Sequence, residues 1–241
     1  MTIKEKVNSH RKTSIIVGVL FIIGTVAGVI SGLLFAGPIL GDPDYLNSIS
    51  ANEIQWIIGT LLVLVMGFPL AMVPVMMFPI FKKHNEILAL GAVVFRGVLE
   101  AVSYMALVIS MLLLLTVSQE FVKAGALDAS YFQALGSLLL KAGEWINQIL
   151  AIVFSLGALM LYYLFYTSKL IPRWLSGWGF IGALLYFAAP FVSMIGPQHL
   201  AISLDGPLGM LMGPLALQEM VFALWLIVKG FNPSAFVTGK A

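Results

Sequence analysis

Six long apolar stretches, separated by short polar segments, make up most of the chain. Each contains about the 20 mostly apolar residues that an α-helix needs to cross the hydrocarbon core of a bilayer. The third stretch is longer than a bilayer requires, so we expect it to tilt or to emerge from the membrane. The pattern therefore predicts six membrane-spanning helices, over residues 14–36, 54–80, 87–117, 141–166, 175–195 and 208–228.

These stretches predict an all-α fold, a polytopic transmembrane helical bundle that forms a single domain over residues 1–241. Gly213 and Pro214 interrupt the sixth stretch, so a short re-entrant segment is the alternative there. The first stretch follows basic residues, as the core of a signal peptide would. It is longer than the roughly 7–15 apolar residues of such a core, so we expect it to be retained as the first helix.

The distribution of basic residues predicts the orientation of the bundle. Short loops on the cytoplasmic side of a membrane are enriched in Lys and Arg. In a six-span topology only Lys123 falls in an outer loop, while Arg96 and Lys141 lie within or at the edge of spans. Both termini are therefore predicted to be cytoplasmic, at the plasma membrane. That side carries the other ten basic residues, Lys4, Lys6, Arg11, Lys12, Lys82, Lys83, Lys169, Arg173, Lys229 and Lys240.

The composition agrees with a membrane protein and excludes several other classes. Hydrophobic residues make up 60% of the chain and charged residues 10%, whereas a soluble domain carries about 25% charged residues. The chain has no cysteine, which excludes disulfides and thiolate metal sites. Its net charge of +2 does not indicate nucleic acid as a partner. Membrane lipids are the partners that this composition predicts.

Small residues and prolines shape the first two spans. Gly24, Gly28 and Gly32 recur at every fourth position of the first span, a pattern that lets two helix backbones approach closely. They predict either a packing seam inside the bundle or a homo-oligomer interface. In the second span three prolines each remove a backbone donor, which indicates a bent helix, a hinge or the wall of a cavity. These prolines are Pro69, Pro74 and Pro79.

Ionisable residues inside the predicted spans are the main candidates for function. Each costs about 2.5–3.5 kcal/mol to insert at the centre of a bilayer, so such residues face a bundle interior or a polar cavity. Arg96 and Glu100 lie one helical turn apart in the third span, and Tyr104 continues the same face. In the fourth span, Glu144 and Gln148 share a face in the same way.

Glu219 in the sixth span is predicted to lie at the depth of Arg96, near the middle of the membrane. The planar guanidinium group of Arg96 can bridge two carboxylates. We therefore predict a buried cluster of Glu100, Arg96 and Glu219 that joins the third span to the sixth. Such a cluster either fixes the register of the helices, or lines a cavity that binds or passes a ligand, or takes part in proton transfer or catalysis.

Few features indicate an enzyme. The histidines lie outside the spans, and none is accompanied by carboxylates at metal-ligand spacing. The chain lacks a nucleophile elbow, a phosphate-binding loop and an intramembrane Ser–His pair. We therefore assign no catalytic residue, no metal ligand and no cofactor. An intramembrane enzyme that uses Glu100, Glu144 or Glu219 as acid or base is the least favoured alternative.

Four short stretches resemble a known family of membrane proteins. Residues 41–47 read GDPDYLN, and Phe95-Arg96 is followed by Glu100. Residues 168–177 read SKLIPRWLSG, and residues 224–230 read LWLIVKG after Glu219. In order and spacing these stretches resemble the bacterial family described as domain of unknown function 4386, which consists of small multi-span membrane proteins. The resemblance extends over nearly the whole chain; it implies the same multi-span fold and no particular substrate.

The function that these features favour is the binding or movement of a lipid or of another small hydrophobic or amphipathic molecule. The second, third, fourth and sixth spans would surround it, because they carry the prolines and the midplane charges. A non-transporting interaction or regulatory protein is the alternative, indicated by the short loops and the absence of catalytic motifs. The candidate site residues are Arg96, Glu100, Tyr104, Glu144, Gln148 and Glu219.

Overall fold

The structure, a computed structural model, describes residues 3–124, 129–196 and 207–236. Within these ranges all regular structure is helical. Six of the helices are long and apolar enough to cross a membrane, which confirms the prediction. We call them spans one to six: His10–Leu40, Glu53–Phe81, Glu86–Ala124, Ala129–Ser168, Arg173–Ile195 and Gly209–Val228. Lys240 lies outside the described residues, and the orientation of the bundle stays a prediction.

Spans three and four extend further than the sequence pattern predicts. We expected the third span to end at residue 117 and the fourth to begin at residue 141, but span three continues to Ala124 and span four begins at Ala129. Neither extension contains a proline, so helical hydrogen bonding continues beyond the apolar segment. The 40 residues of span four make a helix about 60 Å long, roughly twice the thickness of the hydrocarbon core.

The segment between spans one and two covers the extended end of span three. It contains a short helix, Tyr45–Ala51. Leu46 of this helix is buried, and its carbonyl oxygen accepts a 2.5 Å hydrogen bond from Ser118 Oγ. Nearby, Trp56 Nε1 donates to the carbonyl oxygen of Met111 at 2.9 Å. This end of the bundle therefore has a small apolar core of its own.

The spans present apolar side chains outward and bury polar ones. Leu33 is 68% exposed and Ile181 is 60% exposed, whereas Arg96, Glu100 and Gln218 are completely buried. Lipid hydrocarbon solvates the exposed apolar side chains, but it offers no hydrogen bond to polar ones, which are therefore buried. The distribution is therefore the one that a bilayer selects.

The glycines of span one form a packing seam with span two. A Cβ atom added to Gly24 would lie 2.5 Å from Leu70 Cγ, and one added to Gly28 would collide with the sulfur of Met66. A Cβ atom added to Gly32 would meet nothing within 4 Å. Two of the three glycines thus serve contacts within the chain, and a homo-oligomer through this face stays a prediction.

Span six is one continuous helix with Pro214 inside it, so the re-entrant alternative is wrong. It lies between spans one and five. A Cβ atom added to Gly18 of span one would lie 2.7 Å from the carbonyl oxygen of Ala223, and one added to Gly182 of span five would lie 3.1 Å from Leu215. Close backbone packing on both sides sets the depth of span six.

Arg11 fastens the start of span one to the end of span six. Its guanidinium group donates to three carbonyl oxygens of the last turn, at 3.1 Å to Leu226, 2.6 Å to Ile227 and 3.2 Å to Val228. The last carbonyls of a helix have no intrahelical donor and carry its negative dipole end. Arg11 therefore supplies both the hydrogen bonds and the charge that this helix end requires.

Candidate functional site

Arg96 lies in a π-helical segment at the centre of the bundle. Within span three, Val93–Leu99 is π-helical, between the α-helices Glu86–Ala92 and Glu100–Ala124. Such turns are rare and frequently occur at functional sites. This segment was not predicted, because no residue pattern at these positions indicates a π-helix.

Two neighbouring spans hold the π-helical segment by close backbone contact. A Cβ atom added to Gly157 of span four would lie 2.6 Å from the backbone nitrogen of Arg96. On the other side, a Cβ atom added to Gly97 would lie 3.5 Å from the carbonyl oxygen of Ala71 and 3.6 Å from Pro74 Cγ. The position of Arg96 is therefore set by spans two and four as well as by its own helix.

Arg96 and Glu219 form the predicted contact between spans three and six. The distance from Arg96 Nη2 to Glu219 Oε1 is 2.6 Å, and the side chains are 0% and 11% exposed. A charge-assisted hydrogen bond of this length is among the stronger contacts in proteins. It gives both charges a partner where lipid could give none.

Glu100 is close to Arg96 but makes no hydrogen bond with it. Glu100 Oε2 lies 3.7 Å from Arg96 Nη1, and both side chains are fully buried. Among the described residues, neither oxygen of Glu100 has a hydrogen-bond donor, and Nε and Nη1 of Arg96 have no acceptor. The cluster thus joins one cation to two carboxylates and leaves several buried polar atoms unpaired.

Aromatic rings surround the guanidinium group. The Arg96 Cζ atom lies 4.1 Å from the ring centre of Phe154 and 5.5 Å from that of Phe21. Cation–π contacts of this kind become stronger when both groups are removed from water. Tyr104 is buried one turn beyond Glu100, against Gly67 of span two.

A second polar group lies next to Glu219 in the same interior. The hydroxyl of Tyr162 donates a 2.7 Å hydrogen bond to Gln218 Oε1. Gln218 Nε2 in turn donates to the carbonyl oxygen of Leu175 at 3.0 Å. This chain joins spans four, five and six. Tyr162 and Gln218 were not among the predicted site residues, although Gln218 precedes Glu219 in the chain.

Gln148 is buried, as expected, but it lies apart from the contact between Arg96 and Glu219. Its Nε2 atom donates to Ser193 Oγ at 2.9 Å, which links spans four and five. Its Oε1 atom and the hydroxyl of Ser155, two turns along span four, lack a partner in the described part of the chain. Unpaired polar atoms therefore occur along the inner face of span four as well.

Glu144 does not face the interior of the bundle, which corrects the expectation for a carboxylate inside a predicted span. Its side chain is 44% exposed and pairs with Lys141, with 2.6 Å between Glu144 Oε2 and Lys141 Nζ. The expectation rested on a span that begins at residue 141. Because span four begins at Ala129, this part of the helix carries an exposed pair that satisfies itself.

The cluster is enclosed by the spans around it. Arg96 and Glu100 are 0% exposed and Glu219 is 8% exposed, and two surface pockets at helix ends, one lined by residues 51–55 and one at the end of span six, do not include them. Within the described ranges, no three His, Asp or Glu side chains are placed to hold a metal ion. The cluster is therefore an enclosed polar site in which several hydrogen-bond donors and acceptors have no partner in the described part of the chain.

Comparison with known proteins places the chain in a family. The family described as domain of unknown function (DUF4386) matches residues 16–230, which include most of span one, all of spans two to six and the residues of the cluster. No curated protein and no solved structure matches the chain. Because the match extends over nearly the whole chain, the protein belongs to the DUF4386 family.

Proposed function

We propose that the protein binds a lipid or another small amphipathic molecule inside the membrane, and that Glu100 receives its cationic or hydrogen-bond-donating group. The observation that carries this proposal is that both carboxylate oxygens of Glu100 are buried without a donor among the described residues. Buried polar atoms are nearly always paired in native proteins. An unpaired one marks a place where a ligand gains a hydrogen bond.

The charges of the cluster support the same proposal. Arg96 is 2.6 Å from Glu219 and 3.7 Å from Glu100, so the single guanidinium group serves mainly Glu219. With two carboxylates and one guanidinium group, the cluster has one negative charge that no second cation among the described ion pairs balances. An uncompensated charge inside a bilayer costs several kcal/mol. A ligand with a cationic group at Glu100 would lower that cost.

The surroundings of the cluster support an amphipathic ligand over a small ion. The walls near Arg96 are the rings of Phe21 and Phe154. Met66, between spans one and two, adds a flexible side chain that adapts to varied shapes. These groups would contact the apolar part of a ligand while its polar part meets Glu100.

Because the cluster is enclosed, a ligand would reach it only when neighbouring spans separate. Span two is the best candidate to move, since Pro69, Pro74 and Pro79 each remove an intrahelical hydrogen bond. At Gly97 its contact with span three is an ordinary van der Waals contact, since an added Cβ would lie 3.5 Å from the carbonyl oxygen of Ala71. Movement of span two would expose the face of Arg96 and Glu100.

Two hydrophobic ions of nearly equal shape and opposite charge provide a direct test. Tetraphenylphosphonium is the cationic probe and tetraphenylborate the anionic one; each is titrated into the purified full chain in detergent micelles by calorimetry. We expect the cation to bind more tightly, because Glu100 has no hydrogen-bond donor and the cluster holds two carboxylates against one guanidinium group. The Glu100→Gln variant should weaken cation binding by about tenfold or more, which corresponds to ~1.4 kcal/mol.

The matched control is Glu120→Gln, which removes an exposed carboxylate from the same span. It should leave the binding of both ions unchanged. Thermal unfolding without a probe checks that each variant is folded. The proposal is contradicted if the two ions bind the wild-type protein equally, or if Glu100→Gln binds the cation as the wild-type protein does.

The closed packing around the cluster favours a second candidate function, that of a non-transporting interaction or regulatory protein. In that case the contact between Arg96 and Glu219 would only fix the register of spans three and six. Affinity purification in a mild detergent distinguishes the two candidates. A single membrane protein that copurifies in fixed ratio would favour the second, and a chain that always purifies alone would disfavour it.

A further inference from the structure

A basic pocket lies where the ends of spans four, five and six meet. Its volume is about 560 Å³, which is within the range of small-molecule sites. Lys169, Arg173 and Lys229 line it, together with Trp225 and Asn232. The topology predicted from the basic residues puts this end on the cytoplasmic side.

The two chain segments that form the pocket are fastened to each other. The backbone N–H of Asn232 donates to the carbonyl oxygen of Leu170 at 2.8 Å, and Asn232 Nδ2 donates to that of Lys169 at 3.5 Å. Lys169 has a φ of 56°, a left-handed conformation that is uncommon outside glycine. The connection between spans four and five is thus fixed in the shape that places Lys169 in the same pocket as Lys229.

The three basic side chains of the pocket have no acidic partner. No lining residue is acidic, and none of the ion pairs among the described residues includes Lys169, Arg173 or Lys229. Like charges that share a pocket repel one another, and an anion placed between them relieves the repulsion. Arg173 begins span five, whose positive dipole end offsets one of the two negative ends that spans four and six bring to the pocket, so the attraction for an anion rests on the three basic side chains.

Tryptophans mark the depth of the pocket in the membrane. The ring of Trp225 packs edge-on against that of Trp174, with 6.2 Å between their centroids. Trp174 is 55% exposed. Tryptophan concentrates at the interface between membrane and water, so the pocket opens at the level of lipid headgroups.

We infer that this pocket binds a phosphate group, which either the headgroup of an anionic phospholipid or a free phosphate supplies. Guanidinium and ammonium groups are the side-chain donors that phosphate prefers, and basic pockets between spans on the cytoplasmic side bind anionic headgroups. The pocket does not include the cluster around Arg96. The inference is therefore independent of the proposed function.

The test compares an anionic phospholipid with a zwitterionic one. Native mass spectrometry of the purified full chain measures the apparent affinity for phosphatidylglycerol and for phosphatidylcholine with the same acyl chains. The decisive variant is Lys169→Gln/Arg173→Gln/Lys229→Gln. At about fivefold per basic residue, it should weaken phosphatidylglycerol binding on the order of a hundredfold. Inorganic phosphate, added as a competitor, distinguishes a free phosphate from a lipid headgroup.

Two further variants keep the result interpretable. Lys12→Gln/Lys82→Gln/Lys83→Gln removes three exposed charges from the same predicted side, none of which lines the pocket, and it should bind phosphatidylglycerol as the wild-type protein does. The charge-conserving variant Lys169→Arg/Arg173→Lys/Lys229→Arg should retain most of the affinity and shows whether the loops tolerate substitution.

Each outcome has a defined meaning. Tight binding of phosphatidylglycerol that only the pocket variant loses supports a phosphate site; displacement by inorganic phosphate at low concentration would identify the free anion as its occupant. Equal losses in the pocket variant and the distant variant would mean diffuse attraction and would overturn the inference. So would equal affinity of the wild-type protein for the two lipids, or loss of affinity in the charge-conserving variant.

Discussion

Gly157 of span four lies directly against the backbone of Arg96 in span three. A single carbon atom added to Gly157 would approach both the nitrogen and the Cβ atom of Arg96 to 2.6 Å. The π-helical segment around Arg96 and the missing side chain at Gly157 therefore depend on each other. Together they allow the guanidinium group of Arg96 to reach Glu219 although span three packs closely against span four.

Substitution of Gly157 by alanine should push span four away from the π-helical segment. We expect a loss of about 1–3 kcal/mol of stability, the usual cost of overpacking an interior. Thermal or detergent unfolding measures it. Gly177→Ala in span five is the matched control, because an added Cβ there meets nothing within 4 Å and no proline directly follows it. It should be neutral or slightly stabilising, since alanine favours helix over glycine. Equal effects of the two substitutions would contradict the packing argument.

The contact between Arg96 and Glu219 should appear as a coupling energy. Removing one partner of a buried ion pair costs about 3–5 kcal/mol, because the other charge is left buried alone. The double variant Arg96→Gln/Glu219→Gln should therefore lose much less stability than the sum of the two single variants.

The matched cycle for this measurement uses Glu120 and Lys123, an exposed pair in the same span as Arg96. Its coupling should be at most about 1 kcal/mol. If the losses at Arg96 and Glu219 were additive, the two side chains would not interact in the folded protein, and the joint role of spans three and six would have to be abandoned.

Loss of Arg11 should open the end of span six. Arg11→Gln removes the donors to the carbonyl oxygens of residues 226–228, so hydrogen exchange of the last turn of span six and of Gly230 should become faster. Lys12→Gln is the control, because Lys12 is the exposed neighbour of Arg11 and takes the same loss of charge. Faster exchange in both variants to the same degree would point to charge alone.

The loop before the helix Tyr45–Ala51 should weaken in acid. The Ser48 hydroxyl and the Asp44 amide both donate to Asp42, and they hold the pKa of that carboxyl below its ordinary value. A lowered pKa means that the carboxylate stabilises the loop above the ordinary value of about 4, and that this contribution is lost as the pH falls through the lowered pKa.

Hydrogen exchange of residues 45–51, corrected for the intrinsic rate at each pH, measures this effect. Asp42→Asn should show weak protection already at neutral pH and little further change in acid. Glu53→Gln, an exposed carboxyl just after the same helix, should behave like the wild-type protein. Wild-type protection in Asp42→Asn would show that the carboxylate does not hold the loop.

The six spans could be predicted because the length and apolarity of a stretch determine whether it can cross a membrane as a helix. The contact between Arg96 and Glu219 could be predicted too, because buried charges need partners and helical rise gives their depth. The exposure of Glu144 could not be predicted, since it depends on the residue at which span four begins. Residues 129–140 contain no proline that would end the helix, so they are helical. The pattern of apolar residues does not indicate this part of the helix.

The π-helical segment and the basic pocket were also beyond prediction, for a different reason. A π-helical turn contains an extra residue, and it forms only where the neighbouring helices leave room for it. Here Gly157 and Pro74 of those helices contact the segment, and no local sequence pattern encodes that packing. The pocket joins Lys169 to Lys229, which are far apart in the sequence and which the hydrogen bonds of Asn232 help to bring together. Both the π-helical segment and the basic pocket are determined by contacts between residues that are distant in the sequence.

The contact of Arg11 with Leu226 has a consequence for biogenesis. It joins residues 215 positions apart, so synthesis at about 5–20 residues per second leaves Arg11 without these acceptors for roughly ten to forty seconds. During that interval span one is already in the bilayer while its neighbour in the bundle has yet to be made. Final assembly is therefore a late event, and the insertion machinery or surrounding lipids must shelter the exposed flank of span one until translation is nearly finished.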